Sequence, residues 1–143
     1  RRRTVHRRPG RAVVPAAQRG LSIMEITEYQ RWLATWDQER GWDRVPPAHT
    51  LVHALEEMGE VARLVLKWEG YKPTEDELDL RLALREELSD LLVFVFKLAN
   101  QTGVDLDEAL CAGRVKAEHR YADIEAARAE LDRFEDRLHG RAS

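Results

Sequence analysis

Apolar residues recur every three or four positions along most of this chain. Ile26, Tyr29, Leu33 and Trp36 put a stripe on one face of a first helix that runs to Gly41. Pro46 and Pro47 break the pattern, and the second is suited to the first turn of a new helix. That helix is expected from about Ala48 to Trp68, with Leu51, Leu55, Met58, Ala62 and Val65 as its buried row and Gly70 ending it in the left-handed conformation. Thr74 followed by Glu77 has the form of a capping box, so a third helix is expected from there to about Asn100, with Gly103 as its stop. Leu84, Leu88, Leu91, Val95 and Leu98 face one way, and Leu92, Phe96 and Ala99 widen the stripe to the density of a central helix. Asp105 with Glu108 repeats the capping signature and opens a fourth helix, which Gly113 weakens. Beyond it Ile124, Ala127, Leu131, Phe134 and Leu138 alternate like the seam of a short coiled coil, on a tail that packs against the bundle or a partner subunit. The chain reads as all-α: a four-helix bundle with an extended C-terminal helix.

Composition narrows the reading. At 143 residues and 43% hydrophobic the chain holds enough apolar material for one core, which excludes wholesale disorder. Its richest apolar run, Leu91 to Ala99, is too short to span a bilayer and contains Lys97. Cys111 has no partner for an internal disulfide, which fits a reducing, cytoplasmic setting.

Charge is unevenly distributed. Residues 1–20 carry seven arginines and no acid, leaving 16 basic against 26 acidic residues in the rest. Residues 1–23 are expected to form a disordered basic extension, and residues 24–143 the helical domain. An acidic body argues against nucleic acid as a partner and in favour of capturing divalent cations.

Two groups of acids share one grammar. Glu56, Glu57 and Glu60 stand in the second helix, Glu86, Glu87 and Asp90 in the third. Positions three apart lie about 60° from each other around a helix, so Glu57 with Glu60, and Glu87 with Asp90, form same-face pairs. Both pairs border apolar positions, where carboxylates repel one another and lose hydration unless a cation compensates. All-oxygen ligation without His or Cys favours magnesium, with manganese as a substitute, over zinc.

The segment Glu56-Glu57-Met58-Gly59-Glu60 together with Glu87-Leu88-Ser89-Asp90 resembles the EExxE and ExxD signature of the MazG-like all-α nucleoside triphosphate pyrophosphohydrolases. The similarity runs from about Glu39 to Tyr121, including Glu39-Arg40-Gly41-Trp42 and Gly103-Val104-Asp105-Leu106. It implies a bundle of the MazG-like type that cleaves a nucleoside triphosphate between the α and β phosphorus atoms, with Glu57, Glu60, Glu87 and Asp90 as magnesium ligands. Glu56, about 100° around the helix from Glu57, is the candidate general base. Lys97, two turns beyond Asp90, and the pair Lys116 and Arg120 before Tyr121 are candidate phosphate contacts, although Ala117 stands where relatives often carry asparagine. Trp42 and Trp68 resemble the tryptophans that line the base pocket in pyrimidine-preferring members. Trp32 and Trp36 are expected in the core. His49 and His53, a turn apart without a third ligand, are expected to be capping or surface groups.

Magnesium-dependent hydrolysis of a nucleotide is the leading expectation, with the cleaning of non-standard or excess pyrimidine deoxynucleotides from the pool as one role for it. Phosphoribosyl-ATP pyrophosphohydrolase is an alternative with the same metal site, and a non-catalytic helical interaction protein is a second. Four helices leave a cleft open on one side and relatives close theirs with further subunits, so a homo-oligomer, dimer or tetramer, is expected.

Overall fold

The computed structural model describes residues 24–73 and 76–140. The basic segment 1–23 lies outside them, as does Thr74 of the expected capping box. Five α-helices follow in order: α1 (Ile26–Arg40), α2 (Pro47–Trp68), α3 (Glu77–Thr102), α4 (Leu106–Arg120) and α5 (Ile124–Leu138), with a 3-10 turn at Trp42–Arg44 between α1 and α2. No strand occurs among the described residues.

The helix ends have local causes. Gly41 takes φ 68° and turns the chain out of α1 into the segment that carries Trp42. Pro47 begins α2, where the missing N–H costs nothing. Asp76 caps α3, its Oδ1 accepting from Leu78 N at 2.7 Å, so the helix starts two residues later than the Thr74 motif suggests. Asp105 caps α4 by accepting from the amides of Asp107 and Glu108. Gly113 does not interrupt α4. The tail is a separate helix rather than an extension, because Asp123 Oδ1 accepts from Ala126 N at 2.9 Å and starts α5 afresh.

α2 and α3 pack along their lengths as a hairpin, α1 lies against α3, and α4 lies against α1. Gln30 of α1 ties these pieces together. Its Nε2 donates to Val104 O at 2.7 Å, its Oε1 accepts from Leu106 N at 3.0 Å, and its backbone oxygen accepts from Asn100 Nδ2 at 3.2 Å. Gln101 Nε2 donates to Val45 O at 2.9 Å and holds the α1–α2 connection on α3.

The buried rows differ from those the periodicity suggests. On α2 the expected core residues Leu51, Leu55, Met58 and Val65 are exposed. The inward row is instead Thr50, Ala54, Glu57, Val61 and Leu64, which are buried or half-buried. On α3, Leu88, Leu92 and Val95 are likewise exposed, while Leu80, Lys97 and Ala99 are buried. Both stripes are apolar on two sides, and only packing decides which side meets the other helix. The outer sides form an uncovered apolar face, with Val65, Trp68, Leu84, Leu88 and Leu92 lining a cleft of about 730 Å3.

Candidate functional site

Because the inward row of α2 includes Glu57, that carboxylate is carried into the α2–α3 contact. Glu87 and Asp90, one turn apart on α3, meet it there. One carboxylate oxygen from each of the three lies within 4.8 Å of the other two. Burial raises the Glu57 pKa above the ordinary carboxylate value, and the charges of Asp90, Glu87, Glu56 and Glu60 raise it further. Among the described residues these three acids make no ion pair. Three hard oxygen donors, converging without a compensating cation and without His or Cys, fit a magnesium-like ion.

Glu60, the fourth expected ligand, is held one turn along α2 by Arg63, whose Nε donates to Glu60 Oε2 at 2.7 Å. Glu56 points to the other neighbour on its helix: His53 Nδ1 lies 2.8 Å from Glu56 Oε2. The His53 ring stacks on Phe94 of α3, with centroids 5.4 Å apart and planes 21° from parallel. His53 therefore links an acid of the signature to the aromatic wall beside it.

That wall belongs to a cavity of about 440 Å3 enclosed by α1, the 3-10 turn, α2 and α3. Tyr29, Trp36, Trp42 and Phe94 supply aromatic faces. Trp32 and Trp36, expected in the core, are 46% and 38% exposed and line this cavity instead. Tyr29 connects it to the acids, since burial and then the Asp90 charge raise its hydroxyl pKa. The cavity also contains buried polar groups, of which the sequence had singled out Lys97 but neither Asp37 nor Thr50. Asp37 and Lys97 form a buried ion pair at 3.3 Å, and the Lys97 ammonium stands 5.4 Å from the Trp42 ring centre. Thr50 is 1% exposed, and its Oγ1 has no hydrogen-bond partner. A signal existed for Asp37: it follows Leu33 by four residues, which puts an acid on the buried stripe of α1.

The remaining candidates are distributed more widely. Lys97, a candidate phosphate contact, is bound to Asp37 in the aromatic cavity. Lys116 and Arg120 are exposed on α4, with the Arg120 guanidinium 5.4 Å from the Tyr121 ring centre. Trp42 and Trp68 do not meet within one chain. Trp42 lines the aromatic cavity, whereas Trp68 lies in the outer apolar cleft with Arg81 5.1 Å from its ring centre. His49 is exposed at the start of α2.

Comparison with known proteins follows the same lines. The MazG nucleotide pyrophosphohydrolase domain matches residues 46–124, which include α2, α3 and α4. An uncharacterized Bacillus subtilis protein, YvdC, is 28% identical over 103 residues, covering 68% of this chain and 97% of its own. The dCTP pyrophosphatase 1 of Bos taurus is 29% identical over 127 residues, 82% of this chain and 71% of its own. The dCTP pyrophosphatase 1 of Rattus norvegicus is 30% identical over 105 residues, 67% of this chain and 58% of its own. Among the described residues no helix is long and apolar enough to cross a membrane.

Proposed function

The chain belongs to the MazG nucleotide pyrophosphohydrolase family, and from that premise we propose that it hydrolyses a pyrimidine deoxynucleoside triphosphate at the α–β phosphoanhydride, releasing a monophosphate and pyrophosphate. The observation that carries this reading is the convergence of Glu57, Glu87 and Asp90 within 4.8 Å beside a cavity walled by aromatic rings. The relatives named dCTP pyrophosphatase support the pyrimidine substrate.

In this reading Glu57, Glu87 and Asp90 hold a magnesium ion, with manganese able to replace it, and Glu60 joins them by leaving Arg63. A divalent cation there supplies charge neutralisation and Lewis acidity to the triphosphate. The protein's own groups do the rest. Glu56 accepts the proton of the attacking water on a carboxylate oxygen, and His53 holds that carboxylate in place through its 2.8 Å contact. Lys116 and Arg120 neutralise the outer phosphates, and the Trp42 ring stacks on the base. Trp68 lines the outer cleft and not the cavity that holds Trp42, and in this reading it meets a base bound to a neighbouring subunit. The exposed apolar rows of α2 and α3 and the exposed seam of α5 support a homo-oligomer.

The test is pyrophosphate release from a panel of triphosphates with and without magnesium. Magnesium-dependent release that Asp90→Asn abolishes is the expected result. Release that persists at full rate in that variant overturns the reading, and absence of release from every triphosphate favours the non-catalytic alternative.

A further inference from the structure

The rings around the aromatic cavity are braced in two different ways. Tyr29 packs on Trp32 and Phe96, Trp32 on Trp36, and Phe94 on His53, with centroids between 4.8 and 5.4 Å apart. Trp42 has no such neighbour. Among the described residues its ring stacks on no other ring, and it is 49% exposed, so burial does not set its angle. It also stands on a connection and not on a helix body, between Gly41 at the end of α1 and Pro47 at the start of α2.

What holds Trp42 comes from α3. Lys97 and Gln101 are one helical turn apart on that helix and share a face. The Lys97 ammonium, paired with Asp37 at 3.3 Å, stands 5.4 Å from the Trp42 ring centre. Gln101 Nε2 donates to Val45 O at 2.9 Å. Val45 N in turn donates to Trp42 O at 3.1 Å and closes the 3-10 turn. The Gln101 amide is thus two hydrogen bonds away from the backbone of Trp42. Among the described residues it makes the only hydrogen bond that joins the Gly41–Pro46 connection to α3. Pro46 and Pro47 have no N–H with which to add another. The tie is not the most stable choice for its place, because Oε1 of the same amide is enclosed and has no partner. An enclosed acceptor left unpaired is destabilising, and an apolar side chain of similar length would avoid it. What the amide adds is position.

We infer that Gln101 is a positioning residue for base binding: by tying the Trp42–Arg44 turn to α3 it sets the angle of the ring on which a base stacks. Lys97 steadies the ring itself, whereas Gln101 steadies the backbone that carries it. A ring fixed before the ligand arrives loses less freedom on binding, which tightens binding without touching the reacting atoms. The effect therefore belongs in KM and not in kcat. This inference rests on the reading of Trp42 as the residue that stacks on the base.

The experiment is a double-mutant cycle of Gln101→Met and Trp42→Ala, read in magnesium-dependent pyrophosphate release from dCTP. Gln101→Met keeps the length of the side chain and removes the donor. It is expected to raise KM about three- to tenfold and to leave kcat within about twofold of wild type. Trp42→Ala is expected to raise KM by about tenfold or more. In that background Gln101→Met is expected to add less than about twofold, because the ring it positions is gone. The inhibition constant of pyrophosphate, a probe without a base, is expected to stay within about twofold of wild type in all four proteins. Gln101→Asn withdraws the amide by one methylene and is expected to act in the same direction as Gln101→Met, and it decides the matter if the latter does not fold.

An unchanged KM in both Gln101 variants overturns the inference, as do additive effects in the cycle. A fall in kcat at constant KM, or an equal weakening of dCTP and pyrophosphate, also overturns it and marks Gln101 as a general support of the fold. A Trp42→Ala variant with the KM of wild type removes Trp42 from the base site and takes the inference with it, while the hydrolase reading stands. A wild type that releases no pyrophosphate from any triphosphate sinks the hydrolase reading, and the same cycle on the dissociation constant of dCMP, measured by calorimetry, then decides the inference by itself.

Discussion

Arg63 donates to Glu60 at 2.7 Å, one helical turn beyond the point where Glu57 meets Glu87 and Asp90. In the proposed site the guanidinium competes with a metal for Glu60, the one expected ligand that does not already converge. Replacing Arg63 with Ala frees Glu60 at the cost of an exposed ion pair. The magnesium concentration needed for half-maximal pyrophosphate release is expected to fall by about two- to fivefold, in keeping with the strength of such pairs. An unchanged or higher requirement, read from a magnesium titration, removes Glu60 from the ligand set.

Glu57 carries the consequence of burial among like charges. Its raised pKa means that the folded chain holds this proton more tightly than the unfolded chain does. Glu57 thus contributes stability to the metal-free protein at acid pH, and that contribution is lost as the pH rises through its raised pKa. Glu57→Gln removes that charge, so its metal-free Tm at neutral pH is expected to exceed wild type by roughly 1–3 °C. Magnesium should raise the wild-type Tm and do so much less for the variant. Turnover should fall at least about a hundredfold. Thermal melts with and without magnesium give the answer, and a variant less stable than wild type without metal contradicts it.

Glu56 and His53 act as a unit in the proposed reaction. Glu56→Gln keeps the shape and loses the proton acceptor, so kcat is expected to fall by about a hundredfold with little change in KM. His53→Asn removes only the positioning contact and the stacking on Phe94, and a loss of about tenfold is expected. Equal, small losses in both variants, measured at saturating substrate, identify Glu56 as a surface acid.

The α5 seam predicts an orientation as well as an association. With Ile124, Leu131 and Leu138 at the a positions, Arg128 and Glu135 fall at e, and Glu130 and Arg137 at g. In an antiparallel pair of copies, Arg128 faces the partner's Glu135 and Glu130 faces the partner's Arg137. A parallel pair sets Glu130 against the partner's Glu135. Arg128→Glu is therefore expected to weaken association by about tenfold, and Arg128→Glu with Glu135→Arg to restore it. Light scattering across a concentration series reads both. If the single reversal has no effect on mass, α5 is not the contact.

Most of the fold was legible as helices and much less so as faces. Gly41, Pro47, Asp105 and Gly103 mark helix ends by local chemistry, and the structure keeps all of them within a residue or two of their expected roles. The Thr74 motif gave way to Asp76, which offers a competing cap two residues later. The α2 face could not be read, because Leu51, Leu55, Met58 and Val65 look more like a core than Thr50, Ala54 and Glu57 do. Hydropathy ranks side chains by transfer from water. It does not record which side of a two-sided stripe meets the next helix in the same chain.

The amino-acid sequence by itself determined four helices with a helical tail, the acids at three-residue spacing and the family, because spacing along a helix is a local property. Only the tertiary structure brought Glu57 to Glu87 and Asp90, separated Trp42 from Trp68, and joined Asp37 to Lys97 across 60 positions of sequence. Those relationships depend on how far each helix is rotated against its neighbours. The rotation is settled by the packing of whole faces, and a local pattern does not contain it.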